Sequence, residues 1–495
     1  MMLELTDRLV RELNQAGIPY CHWKSNYALE KGLAGELDLD LLVDRAALRA
    51  TLGILARLSF KCALPRSGTT PAGIQHFYGL DAATGSLVHV HLFTRVLTGE
   101  SFVKSHVLPL EALLLENSSQ IEGIPVPSKS AELVLFILRT FIKYGSAIDT
   151  LYLARGSKEV RAELNWLMDG GDPESSLRLL ERHCPAVEGV LFLQCVQALR
   201  QESSLLRRFR LARLVRSRLR PYEVRGPVAS LAAYARLLWD YAARRLMQRR
   251  GSKVLASGGA VIAFVGPEAT GKSTLVEDTR RWLKPVFPVA AVHAGKPPST
   301  WLTAPINAFL PLARNLWPRL RTSRIEGHVV VEDDLAPLEK LSGFPGLVYA
   351  IRSVTLAWDR RRLLVQAARR AADGEIIISD RYPSGNVGAM DSPRLPADQS
   401  ESRLLLRLAH LERSLYAQIP PPDVVLKLSV PVEVAKLRNR ERIKAGKESD
   451  AYLESRHRQV QEWNRPGARR IYDIDTGGSL EATIQCVRET IWEAL

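Results

Sequence analysis

Cysteine is scarce and scattered. Cys21, Cys62, Cys184, Cys195 and Cys486 are the only five in 495 residues, and no CxxC pair occurs. That pattern argues against a zinc-finger type of site and against a disulfide framework, and it suits a reducing cytoplasm. Long apolar runs are missing too. None approaches the roughly 20 residues needed to cross a bilayer. The opening Met1–Leu13 stretch is amphipathic, with Glu4, Asp7 and Glu12 among its leucines, and lacks the basic-then-apolar order of a secretory leader. The expectation is a cytoplasmic chain. No internal repeat is visible. What is present is length and positive charge. A chain of 495 residues exceeds one core, so two or three domains are expected. The net charge of +15 is uneven: about −2 over residues 1–127, about +11 over 128–257 and about +6 over the remainder.

One stretch organises the rest. Val261–Val265 is apolar and rich in β-branched residues, which predicts a buried strand. Gly266, Pro267, Glu268, Ala269, Thr270, Gly271, Lys272, Ser273 and Thr274 follow, with a helical pattern to about Leu283. Strand, glycine-bounded loop and helix are the context in which GxxxxGK[ST] cradles a polyphosphate. The glycines permit close backbone approach, and successive N–H groups at a helix start face the anion. Lys272 can reach the β- and γ-phosphates, and the Ser273 hydroxyl can ligate Mg²⁺. ATP and Mg²⁺ are therefore the expected cofactors.

Within residues 1–127, strands are expected at Ile18–Trp23, Gly35–Asp44, Ile74–Leu80 and Leu87–Phe93, with a helix over Ala46–Leu58. Asp38 and Asp40 lie two apart in an otherwise apolar strand, so they share a face. Paired carboxylates there call for a cation, with Mg²⁺ the candidate. Lys24, Asp38, Asp40 and His91 together resemble the nucleotidyltransferase superfamily with a polymerase-β-like palm. Two positions depart from that pattern. Ser25 replaces the usual glycine, and His89 stands where a third carboxylate belongs. The resemblance implies an α+β domain that is inactive and used for binding, or active with altered metal handling. The carboxylates can also serve another purpose in the strand.

Residues 128–257 read as a succession of helices, at about Ser128–Tyr144, Lys158–Met168, Pro173–His183, Val187–Glu202, Leu205–Leu219 and Pro227–Arg249. This is a helical, basic connector. Its Leu205–Arg220 segment is Arg-rich and amphipathic. Such a face fits first a solvated, Arg-rich face packed on a domain, and secondly a membrane surface or nucleic acid. Nucleic acid is the minor expectation.

Residues 258–495 alternate strands with helices, which implies a parallel sheet covered on both faces. Strands are expected at Val289–Ala294, Glu375–Asp380, Asp423–Val430 and Arg470–Asp475, with a last helix at about Leu480–Ala494. The loop motif, Asp380-Arg381-Tyr382, and Val430-Pro431 followed by Leu437-Arg438-x-Arg440-x-Arg442 resemble thymidylate kinase and its relatives. Asp380 is then a candidate for holding Mg²⁺ or orienting an acceptor. Arg381 is a candidate clamp for an acceptor phosphate. Arg438, Arg440, Arg442, Lys444 and Lys447 are candidates for a basic lid over the transferring phosphoryl group. The resemblance also implies a homodimer, unless the first domain covers that surface. His293-Ala-Gly-Lys-Pro-Pro-Ser299 replaces the family's acceptor segment, and Phe309–Phe344, with Glu332-Asp-Asp334, is extra. The donor half of the site looks retained and the acceptor half rebuilt. The reading is an ATP- and Mg²⁺-dependent phosphotransferase acting on a nucleoside monophosphate or a sugar or glycan. The alternatives are a nucleotide-binding scaffold, and a nucleotidyltransferase with a P-loop regulatory domain.

Overall fold

A computed structural model describes residues 2–66, 71–99, 104–144, 157–201, 204–224, 226, 253–301, 303–306, 343–386, 391–395, 402–441 and 463–495, with 232, 235, 239, 450, 453–454 and 457–458 between them. The helix expected at Pro227–Arg249, most of Phe309–Phe344, and Arg442, Lys444 and Lys447 lie outside those residues. The chain divides into two units, Met1–Arg249 and Arg250–Leu495.

In the first unit the strands Tyr20–His22, Leu39–Val43, Ser86–Phe93, Ile74–Asp81 and Lys61–Pro65 lie side by side in that order. Leu39–Val43 runs parallel to Ser86–Phe93, and the other pairings are antiparallel. Alternation sets the two faces. Leu41, Val43, Val88, Val90 and Leu92 pack with Leu5, Leu9 and Leu13 of helix Glu4–Gln15 and with Ile54 and Leu55 of helix Leu48–Arg57. The opposite face sends Trp23, Leu42 and Phe93 into a core shared with the helices that follow Pro127.

Those helices belong to this unit for a physical reason. Helix Lys129–Tyr144 is buried along most of its length, from Ala131 to Ile142. The Arg-rich helix Leu205–Arg218 gives Leu211, Ala212 and Val215 to the same core. Its arginines surround an apolar stripe already in use.

One long-range contact fixes the first helix after Pro127. Glu132 is 1% exposed and accepts from Asn26 N (3.1 Å) and Asn26 Nδ2 (2.8 Å). Burial pushes its carboxyl up to about 7, against the pull of those two bonds. The folded state thus holds this proton more tightly than the unfolded chain does. The resulting stability is complete below the ordinary value of 4.5 and is lost as pH rises through about 7. Glu132→Gln removes that titration. The stability difference between wild type and variant should shrink by about 1–3 kcal/mol between pH 4.5 and 8. Urea unfolding at several pH values measures it, and a difference independent of pH contradicts the assignment.

In the second unit five strands are parallel, in the order Val289–Val292, Ile376–Ser379, Ala260–Val265, Val424–Ser429, Ile471–Asp475. Ala260–Val265 is central and buried throughout, which its unbroken apolar run requires. On one face Val261, Ala263 and Val265 meet Ala357, Leu364, Ala367 and Ala371 of the long helix Gly343–Ala372, and Leu415 and Tyr416 of helix Arg403–Ala417. Helices Lys272–Leu283 and Leu480–Ala494 pack together, with the Trp282 and Trp492 rings edge to face at 6.2 Å. The chain moves from the central strand to one side of the sheet and then to the other. Such a switch point opens a crevice at the strands' carboxyl ends.

Candidate functional site

The phosphate-binding candidates all sit at that carboxyl edge. The loop leaves Val265, the end of the central strand, and Lys272 begins the next helix. Gly266 faces the neighbouring strand closely: a Cβ there would meet the Leu428 carbonyl oxygen at 2.9 Å. Only glycine fits without moving backbone. Ala269 (φ +65°) and Gly271 (φ +81°) take left-handed conformations, which turn the chain sharply into the helix. Thr270 Oγ1 donates to Pro267 O at 2.9 Å and braces the loop. The Lys272 ammonium donates to the carbonyls of Gly266, at 2.8 Å, and Pro267, so its charge is held over the loop.

Asp380 and Arg381 follow the adjacent strand Ile376–Ser379, and His293 follows Val289–Val292 beyond it. His293 Nδ1 contacts Asp380 Oδ2. The other carboxylate oxygen, Asp380 Oδ1, is buried without a hydrogen-bond partner among the described residues. Burial raises the Asp380 carboxyl above its usual range, opposed by His293 and Arg381.

Arg381 is not open to solvent as a free clamp. Its Nη1 lies 3.2 Å from Asp391 Oδ2 and its Nη2 lies 3.7 Å from Glu268 Oε1. Asp391 also holds Arg360, which is 1% exposed. Arg360 donates to Asp391 Oδ1 (2.5 Å), Asp391 O (2.9 Å), Ala294 O (2.9 Å) and Tyr416 OH (2.7 Å). Burial opposes the charge on Asp391, but Arg360 and Arg381 outweigh it and hold the carboxyl below its usual range. Glu268 is 7% exposed, and its Oε2 is a second buried carboxylate oxygen without a partner among the described residues.

Of the basic residues expected to form a lid, the two described ones, Arg438 and Arg440, have partners of their own. Arg438 Nη2 donates to Thr476 O at 2.7 Å, and Arg440 pairs with Asp450 at 2.8 Å. Both lie on the Val432–Glu441 helix, which starts three residues after the Ser429 end of strand Val424–Ser429.

The carboxylates of the first unit have partners of their own. Asp40 lies 2.8 Å from Lys24 Nζ and 3.1 Å from His91 Nδ1. Burial opposes its charge, yet Lys24 and His91 prevail and hold its carboxyl below the usual range. Asp38 precedes the strand, is half exposed, and bonds His89 Nδ1 at 2.6 Å. His89 Nε2 in turn meets His76 Nδ1 at 3.1 Å, and the His76 and His91 rings stack at 4.3 Å. Burial drives the His91 imidazole down to about 4, against Asp40, so it is neutral near pH 7. The shared face of Asp38 and Asp40 therefore carries an ammonium and imidazoles where the sequence reading placed Mg²⁺. Among the described residues no group of three or more His, Cys, Asp and Glu is arranged to hold a metal. Ser25, in the glycine position, keeps the left-handed backbone a glycine would supply (φ +59°), and its hydroxyl accepts from Arg139.

Sequence reasoning did not find Arg360, Asp391 as its partner, or the His293–Asp380 contact. No helix among the described residues is long and apolar enough to cross a membrane.

No known family's sequence profile matches the chain, and no curated protein does. Among solved structures, the chain is similar to a thymidylate kinase from Candida albicans, at 17% identity, covering 48% of this chain and 90% of that one, with a TM-score of 0.27. It is also similar to a deoxyadenosine kinase from M. mycoides with bound dATP, at 12% identity, covering 47% of this chain and 98% of that one, with a TM-score of 0.26.

Proposed function

We propose that residues 258–495 form an ATP- and Mg²⁺-dependent phosphotransferase of the thymidylate-kinase-like class, acting on a nucleoside monophosphate or a sugar or glycan. The observation that carries this reading is the Gly266–Thr274 loop at the carboxyl end of the central parallel strand, with Asp380 and Arg381 at the end of the strand beside it. A triphosphate would lie along the loop's N–H groups, with Lys272 leaving its carbonyl partners for the β- and γ-phosphates. Mg²⁺, when bound, neutralises charge developing on the phosphates. Ser273 and Asp380 would hold it, and the unpartnered Asp380 Oδ1 is what fits that cation. His293 fixes the other carboxylate oxygen and so orients Asp380. Arg438 and Arg440, on the Val432–Glu441 helix, would have to leave Thr476 O and Asp450 to supply positive charge, and Arg442 follows them in the sequence. Positioning and electrostatics, not covalent chemistry, then account for the rate. The scattered cysteines fit a cytoplasmic enzyme.

The test is acceptor-dependent release of ADP. Chelation with EDTA should stop it, and excess Mg²⁺ should restore it. Release that is independent of both acceptor and metal contradicts the reading.

For the first unit we infer a nucleotidyltransferase-like domain that binds without transferring. Asp40 already has Lys24 and His91 as partners, and His89 occupies the third carboxylate position. Two-metal transfer needs oxygen ligands at both positions.

A further inference from the structure

We propose that the acceptor of this phosphotransferase is an uncharged hydroxyl compound, a sugar or a nucleoside, and that its hydroxyl donates to Glu268. This rests on the kinase reading above and narrows its acceptor. A phosphomonoester brings about two negative charges and needs an available guanidinium or ammonium. Arg381, the group placed to supply it, is already shared between Asp391 Oδ2 at 3.2 Å and Glu268 Oε1 at 3.7 Å. Arg360 is 1% exposed and donates to Asp391, Ala294 O and Tyr416 OH. Around these two guanidiniums stand three carboxylates, Glu268, Asp380 and Asp391. An arriving dianion would face like charge in a buried setting, where repulsion is weakly screened.

The unpartnered atoms point the same way. Glu268 Oε2 and Asp380 Oδ1 are buried acceptors without a donor among the described residues. Leaving such atoms unpaired is costly. Mg²⁺ accounts for Asp380. Glu268 Oε2 still requires a donor, and an attacking hydroxyl brings one to the reacting position where an attacking phosphate oxygen does not. In the transfer step the acceptor's hydroxyl oxygen bonds to the γ-phosphorus. The bond from that phosphorus to the β,γ-bridging oxygen breaks, and ADP leaves with the electron pair. The hydroxyl proton passes to Glu268 Oε2 and from there to water.

The experiment offers the full-length protein γ-labelled ATP with paired acceptors: each nucleoside with its 5′-monophosphate, and each hexose with its 6-phosphate. The expected result is a kcat/KM about 100-fold higher for the uncharged member of a pair, and the labelled pair says whether the source is a sugar or a nucleoside. Glu268→Gln should lower kcat on that acceptor about 100-fold with little change in KM, and Glu268→Asp should recover part of it. Preference for the phosphorylated member overturns the proposal. So does bound ATP with no label on any uncharged acceptor, or full activity in Glu268→Gln. If wild-type protein binds no ATP, the kinase reading itself fails, which is a separate and recognisable outcome.

Discussion

Lys272→Ala should lower kcat for phosphoryl transfer by about 10²–10³-fold or more, the range for losing one preorganised charge at a developing anion. The ammonium sits over the Gly266–Gly271 loop, held by the Gly266 and Pro267 carbonyls. Those two carbonyls are weak competitors for a cation once a triphosphate arrives. The alanine variant keeps the helix start, because alanine is a good helix former at that position. Its thermal unfolding should match wild type, which separates lost chemistry from lost fold. Turnover at the wild-type rate would remove the loop from the mechanism.

The second large effect is on stability. Arg360→Ala should cost about 3–5 kcal/mol, the range for breaking a buried ion pair by deleting one partner. Arg360 joins four elements of the second unit: its own helix Gly343–Ala372, the segment at Ala294, the turn at Asp391 and the helix carrying Tyr416. Its loss strands Asp391, a buried carboxylate then left with Arg381 as its remaining guanidinium. Arg381 would be drawn further onto Asp391 and away from the crevice. Arg360→Lys should recover only part of the loss, because an ammonium cannot reproduce the forked contacts to Asp391 and the two flanking oxygens. Urea unfolding measures both variants. A loss under about 1 kcal/mol for the alanine variant contradicts this account of the network.

How much of this was legible in the sequence follows from the range of each interaction. The Val261–Val265 strand and the loop after it were readable because strand pattern, glycines and Lys272-Ser273 lie within a dozen residues. The strands at 289, 376, 424 and 471 were readable within two residues, since short apolar runs bounded by polar residues are local signals. The contacts that govern charge were not legible. Arg381 looked like a free clamp beside Asp380, but its partners Asp391 and Glu268 come from a turn and from the loop of another strand. Asp38 and Asp40 were expected on one strand face, but the strand begins at Leu39 and Asp38 precedes it; the contacts of Lys24 and His91 with Asp40 follow from sheet pairing that spacing alone does not reveal. Glu132 lies 106 residues from Asn26, and no local pattern announces a buried carboxylate–amide pair of that span. For the Arg-rich helix, the reading as a charged face packed on a domain agrees with the structure, where its apolar stripe belongs to the first unit's core. Helices Gly343–Ala372 and Arg403–Ala417, which cover one face of the second sheet, gave no clear sequence signal because their arginines interrupt the apolar stripe.

The central claim is that this chain moves the γ-phosphoryl group of ATP. The most direct measurement incubates the full-length protein and Mg²⁺ with γ-labelled ATP and, in parallel, α-labelled ATP, against nucleosides, nucleoside monophosphates, sugars and glycan lipids. The account predicts that the γ label appears on an acceptor while the α label stays with ADP. An α label carried onto product, or ATP that binds while neither label moves, would contradict it.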